Sequence, residues 1–411
     1  MKNQELMEKY ARLAVRSGVN VQKGQPVNIQ AEVRDYEFVR LVVKEAYEAG
    51  ASKVLVDWKD EEINLMDYEY CTTETLSEVP QWSLDKLTWG MDKGFCRLSV
   101  YSATPGMMKD VDPLKMQQVQ MAHMEAIKPF QEAMMANKTQ WSVCAVPCAG
   151  WAQKVFEELP EEEAMDKLMD AILKCSHVRE DNDPVSEWAE HSARLQHLTE
   201  VLNQNNFSSL HFTNGLGTDL TVELVKDHIW CGGASKTEKG VEFSPNIPTE
   251  EVFCMPYKMG VNGRCVATKP LSYQGKVIEG FEFTFKDGKV VEYSAKVNEG
   301  SLKSLVEMDE GSCYLGEVAL ISHNSPISNS NILFYNTLFD ENASCHLALG
   351  RAYAMNLKGG TAMKQEELSA AGANNSMTHV DFMFGSADMK VVGVREDGSE
   401  VLVMNEGNLV I

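Results

Sequence analysis

The side chains best suited to chemistry lie between residues 246 and 385 of this chain. Asn246-Ile247-Pro248-Thr249-Glu250-Glu251-Val252-Phe253 places two carboxylates after a Pro-containing turn. Leu315-Gly316-Glu317-Val318-Ala319-Leu320 sets a lone Glu at the entry to an apolar, strand-like run. Asp340-Glu341-Asn342-Ala343-Ser344-Cys345-His346 offers Asp340 or Asn342 as a helix N-cap, with the helix expected to continue through Gly350 and Tyr353. Asn374-Asn375-Ser376-Met377-Thr378-His379-Val380-Asp381-Phe382-Met383 holds His and Asp at i and i+2. On a strand, His379 and Asp381 share one face while Val380 and Phe382 turn into packing. On a helix, His346 and Tyr353 are close to two turns apart and face one cavity. Carboxylates gathered in this way repel and raise one another's pKa. A pair of divalent cations removes that cost and takes such a mixture of carboxylate and neutral imidazole. Spacing alone leaves the matter open. An isolated His on an apolar face is ordinarily a packed core residue, and a single Glu is ordinarily exposed or ion-paired. His123, His177, His191, His197, His211, His228 and His323 have no comparable company and are read as ordinary packed histidines.

Other chemistries lack their residues. The chain has no Gly-x-x-x-x-Gly-Lys-Ser/Thr loop, and Gly215-Leu216-Gly217 is followed by Thr218, Asp219 and Leu220 without the third glycine of a dinucleotide fingerprint. It has no Gly-x-Ser-x-Gly elbow and no His-Glu-x-x-His pair. Cys345-His346 is a poor nucleophile and base, since neighbours on a helix point about 100° apart. With 38 Lys+Arg against 60 Asp+Glu and a net charge of −22, a general nucleic-acid or anionic-membrane surface is disfavoured. Ten cysteines are thinly spread with no Cys-x-x-Cys, so free buried thiols are expected rather than a disulfide framework. The start runs directly into an amphipathic pattern with Glu8, Lys9 and Arg12, and no later stretch of about 18 apolar residues could span a bilayer. A cytoplasmic protein is expected.

The elements that must position these residues divide at a change of composition. The first 205 residues hold 6 of the 7 tryptophans but only 7 of the 28 glycines, so the glycine-punctuated strands fall after it. The early segment alternates: a helical stripe through Leu6, Tyr10, Leu13 and Ala14, a strand over Pro26–Ala31, a helix from Asp35 to Gly50, and a strand over Lys53–Trp58. That is a βαβ unit and implies a parallel sheet, to which Arg97–Ser102 and Trp141–Val146 add strands. Pro160 and the run Glu161, Glu162, Glu163 open a helix. Ser209–Thr213, Thr218–Glu223, Phe281–Lys286 and Val290–Val297 read as strands between Gly, Asp or Asn turns. The expected fold is α/β plus α+β: an α/β domain over 1–205 with a largely parallel sheet, and a β-rich metal-binding domain over 206–411.

These blocks, in this order, resemble the aminopeptidase T, aminopeptidase S and PepS group of dinuclear metallo-aminopeptidases, the thermophilic metalloprotease family. The most specific matches are Asn246-x-Pro248-Thr249-Glu250-Glu251-Val252-Phe253, Asp340-Glu341-Asn342-Ala343 with His346, and His379-x-Asp381. Gly18, Gly24, Gly150-Trp151-Ala152, Gly217-Thr218-Asp219-Leu220 and the apolar Leu409-Val410-Ile411 end extend the likeness over nearly the whole chain. The resemblance implies metal ligands at Glu251, Glu317, His346, His379 and Asp381, with Glu341 a further ligand or close neighbour. It makes Glu317 the bridging, catalytic carboxylate and Tyr353 the active-site tyrosine, and leaves Glu250 or Glu341 to shuttle the proton. It implies two divalent ions (Zn, Co, Mn or Mg), short peptides with a free N-terminus as substrates, and a homodimer whose active sites open into an enclosed interior. Cys254-Met255-Pro256 departs from the family's Thr and small residue, which leaves the shape of the substrate pocket open. A non-catalytic, metal-stabilised peptide-binding protein and a dinuclear amidase would use the same ligands.

Overall fold

A computed structural model describes residues 4–411. The chain divides into two compact units, one made of the residues up to Glu190 with Ala234–Pro248, the other of His191–Gly233 with Thr249–Ile411. The boundary lies inside the Pro184–Asn205 helix, ahead of the compositional change at residue 205.

In the first unit, helix α1 (Gln4–Leu13) precedes strand β1 (Pro26–Glu32), helix α2 (Tyr36–Glu48) and strand β2 (Lys53–Lys59). Strands β3 (Cys96–Tyr101) and β4 (Trp141–Ala145) complete a four-stranded parallel sheet in the order β2-β1-β3-β4. Val27, Ile29 and Ala31 alternate into the core on β1, whereas Asn28 is buried on the other face and donates to Asp57 at 2.9 Å. The acidic run does open a helix, Glu161–Cys175, behind Pro160.

The second unit is antiparallel. Its larger sheet has eight strands, with Pro256–Val266, Asp219–Leu224, Phe207–Thr213 and Lys390–Arg395 adjacent at its centre. Its smaller sheet runs in the order His379–Met383, His346–Gly350, Leu315–Leu320, Val252–Cys254, Cys231–Gly232. Phe382 carries this sheet's rear face onto the core, with its ring 5.0 Å from Phe283 and 5.9 Å from Phe281.

One expected element is corrected. No helix runs from Asp340 through Tyr353: a short helix Thr337–Asp340 and a single turn Glu341–Ala343 give way to the strand His346–Gly350. Leu347, Ala348 and Leu349 suit a helix by intrinsic propensity. Pairing on both edges, to Leu315–Leu320 and to His379–Met383, overrides it and buries all five residues. All ten cysteines are free. Among the described residues no helix is long and apolar enough to cross a membrane.

Candidate metal centre

The small sheet positions the chemistry through its register. His346 lies opposite Met383 and Ala319, Ala348 opposite Asp381 and Glu317, and Gly350 opposite His379. Paired residues share a face, so Glu317, His346, His379 and Asp381 all project from one side. The small side chains of Ala319 and Ala348 stand among the polar groups on that face. Glu251 enters just ahead of the strand Val252–Cys254.

The ligand atoms converge. His346 Nε2 lies 3.2 Å from Glu251 Oε2, 3.3 Å from Glu317 Oε1 and 3.9 Å from Asp381 Oδ1. His379 Nε2 lies 3.7 Å from Glu317 Oε2 and 3.5 Å from Asp381 Oδ1. Glu251, Glu317 and His346 form one group whose ligand atoms all lie within 4.8 Å of one another, and Glu317, His379 and Asp381 form a second. Glu317 belongs to both, and its two oxygens face different imidazoles.

Glu341 falls outside both groups but feels the charges of Asp381, Glu251 and Glu317. Glu250 turns aside, with its carboxylate 3.8 Å from His191 Nε2. Tyr353 reaches the cluster from the loop after the strand rather than along a helix, its ring centroid 4.5 Å from that of His379. The adjacent Cys345 points away, its thiol donating to the Ile321 carbonyl at 3.4 Å, because successive strand residues face opposite sides.

Burial is the first influence on Glu317, Glu341, His346, Tyr353, His379 and Asp381. It raises Glu317 above the usual carboxylate range, opposed by the hydrogen bond from His346 and reinforced by Glu251 and Asp381. It raises Glu341 further, with Asp381 and Glu251 adding repulsion. Burial alone would lower both imidazoles. The hydrogen bonds to Glu251 and Glu317 reverse this at His346, which sits well above its ordinary value, and the Asp381 charge carries His379 up to about 9. Asp381 is held down by His379 despite its burial. Burial and four nearby carboxylates push Tyr353 up, so its hydroxyl remains a donor.

The donor set fits divalent cations. Four buried or nearly buried carboxylates stand against two imidazoles, which is a deficit of positive charge in a desolvated place. His346 Nδ1 and Asp381 Oδ1 are buried without a hydrogen-bond partner. Carboxylate oxygen with imidazole nitrogen is the mixture that Zn, Co or Mn accept.

Several supporting residues carry no signal in spacing. The Arg351 carbonyl accepts His379 Nδ1–H at 2.7 Å, which turns Nε2 toward the carboxylates. Asn342 Oδ1 accepts the Glu250 N–H at 2.8 Å and ties the Glu251 segment to the Glu341 turn. Asn374 Nδ2 donates to the carbonyls of Gly350 at 2.6 Å, Gly311 at 2.8 Å and Tyr314 at 3.3 Å, joining the approaches to three ligand strands. Asp309 accepts the Met377 N–H at 2.6 Å and the Ser376 hydroxyl at 2.8 Å, just before His379.

The chain is similar to known proteins over nearly its whole length. The chain is 47% identical over 399 residues to aminopeptidase AmpS of Bacillus subtilis, covering 97% of each. It is 44% identical over 402 residues to aminopeptidase 2 of Geobacillus stearothermophilus, covering 98% of this chain and 97% of that one. The solved structure of wild-type AmpT from Thermus thermophilus superposes with a TM-score of 0.92 at 38% identity over 100% of both chains. A 2,5-dihydroxypyridine dioxygenase from Pseudomonas putida, 10% identical with a TM-score of 0.56 over 100% of this chain and 98% of that one, shares the fold alone. The family model described as thermophilic metalloprotease (M29) matches residues 3–409, and the chain belongs to that family.

Proposed function

We propose that this chain is a metal-dependent aminopeptidase that removes N-terminal residues from short peptides. The observation that carries the reading is Glu317, buried and common to two groups of metal-binding side chains, with one oxygen toward His346 and the other toward His379. The family membership and the aminopeptidase names of the matched relatives support it. In this reading Glu251, Glu317 and His346 would hold one ion and Glu317, His379 and Asp381 would hold a second, with Glu341 outside both groups. When bound, such ions polarise the scissile carbonyl and lower the pKa of water.

The chain's own groups do the rest. Tyr353 donates a hydrogen bond to the oxyanion that develops on the attacked carbonyl. A donor of this kind is worth about 2.7–4 kcal/mol in other enzymes. Glu341, half-buried and outside both groups, takes the attacking water's proton and delivers it to the leaving amine. Phe253, edge-on to Tyr353 at 6.4 Å, helps keep bulk water away.

The test is release of leucine from Leu-Gly-Gly and from its N-acetylated form, before and after chelation and re-addition of Zn or Co. The reading expects release only from the free N-terminus, loss with chelator and recovery with metal. Tight peptide binding with no free amino acid overturns it, and equal cleavage of the acetylated peptide makes the enzyme another kind of amidase. The reading includes a cytoplasmic homodimer with Zn, Co, Mn or Mg as its ions. Sedimentation, fractionation and elemental analysis check these.

A further inference from the structure

On the sheet face that bears the metal-binding groups, Met383 lies beyond Asp381 and lines a small cavity. Met383 follows Asp381 on the same side of its strand and pairs directly with His346, so their Cβ atoms lie about 5 Å apart. Met383 and Ala343, both buried, line a cavity of about 130 Å³ together with Pro270, Ile332 and Leu333. Asp340 also lines it but has no carboxylate to spare: its oxygens accept the N–H groups of Phe334 at 2.7 Å and Asn336 at 2.9 Å. Those bonds hold in place the loop that supplies Ile332 and Leu333. Lys269 and Asn331 line it as well. The lining left to an occupant is therefore mostly apolar.

Two neighbours fix what the cavity adjoins. Through Met383 it borders His346, and through Asp340 and Ala343 it borders the turn that carries Glu341. In a peptide the amine, the side chain and the scissile carbonyl of the first residue branch from one carbon. A substrate whose carbonyl and amine are held at the cluster must therefore put that side chain into adjoining space. An engineered apolar cavity of about 150 Å³ takes a benzene molecule. A space of 130 Å³ thus suits a Leu, Ile or Met side chain and is too small for an indole.

Resting on the aminopeptidase reading, we propose that this cavity receives the side chain of the residue being removed and selects medium aliphatic side chains over Ala and over Trp. At about 0.8 kcal/mol per buried methylene, the three extra carbons of Leu favour it over Ala by roughly 50-fold in kcat/KM.

The experiment uses the metal-loaded full chain and two peptide series, Xaa-Ala-Ala and Ala-Xaa-Ala, with Xaa = Ala, Leu or Trp. Leu333→Trp, which fills the cavity, is expected to cut the first-position Leu/Ala ratio to below about 5-fold. Ile332→Ala, which widens it, is expected to raise Trp relative to Leu by about 5-fold or more. The second-position ratios stay within about twofold throughout, since a site-specific pocket discriminates only the side chain it holds. Calorimetric affinity for leucinol relative to alaninol, which needs no turnover, should narrow in Leu333→Trp alongside the kinetic ratio. Melting and metal content verify each variant, and if Leu333→Trp does not fold, Ile332→Ala carries the comparison. Unchanged first-position ratios and leucinol preference, or a shift in the second-position series instead, overturn the proposal. A wild-type protein that releases no amino acid from any peptide sinks the aminopeptidase reading itself, and shows it before any variant is compared.

Discussion

Glu317→Gln is the substitution whose effects the geometry fixes most closely. It keeps the side-chain volume and removes a charge that both groups of metal-binding side chains share. A ligand present at 100 times its Kd stabilises a folded protein by about 2.7 kcal/mol, so two such sites give about 5 kcal/mol. At about 2–4 °C per kcal/mol for a domain of this size, Zn or Co should raise the wild-type melting temperature by on the order of 10 °C. A thousandfold loss of affinity at both sites would shrink that gain to about 0.1 kcal/mol, so the variant should not respond to metal. In the metal-free proteins the sign differs. Burial raises the Glu317 carboxyl, so its ionised form costs stability at neutral pH, and a neutral Gln should melt at the wild-type temperature or above it. Scanning calorimetry with and without metal, beside a leucine-release assay, reads both effects. A variant that gains the full metal shift and turns over peptide at the wild-type rate would refute the reasoning.

Tyr353→Phe should lower kcat by about 10²–10³ with metal content retained, the size expected for one oxyanion donor; a kcat within threefold of wild type removes Tyr353 from that role. Asn374→Ala should cost about 2–4 kcal/mol in chemical denaturation. The Gly350 carbonyl loses its 2.6 Å partner, whereas the Gly311 and Tyr314 carbonyls still accept the N–H groups of Tyr314 and Gly350. A loss under about 0.5 kcal/mol contradicts its joining role. Asp35, buried and pushed up to about 6, takes a proton in the folded protein before it does in the unfolded chain. Its contribution is therefore present below about pH 4 and is lost as pH rises to 6, amounting to about 3 kcal/mol. Asp35→Asn should gain on wild type by up to that amount between pH 4 and 7, and a stability difference that is flat with pH would contradict the shift.

What was legible in the sequence follows from locality. The βαβ opening is written in Pro26–Ala31 and Lys53–Trp58, where short apolar runs end at Gly or acidic residues, and β1 and β2 lie within a residue or two of those bounds. His379 and Asp381 carry their own geometry, because a spacing of two puts them on one strand face and Phe382 into the core. His346 does not. Leu347-Ala348-Leu349 is apolar without alternation, a pattern shared by buried strands and buried helices, and only pairing on both sides decides between them. Tyr353 consequently reaches the cluster by a route that spacing did not describe. The strand Pro256–Val266 is hidden by Gly260, Asn262 and Gly263 and by a bulge between Pro256 and Val261. Asn374 and Asp309 are invisible for a different reason: their hydrogen bonds reach across 24 to 68 residues, to carbonyls and amides that no motif encodes.

The most direct measurement is anomalous diffraction from crystals soaked in Zn or Co, with metal stoichiometry from elemental analysis of the same protein. The account predicts two ions per chain, both contacting Glu317, one between Glu251 and His346 and the other between His379 and Asp381. A site without anomalous signal under saturating metal, or ions bound elsewhere in the chain, would contradict it.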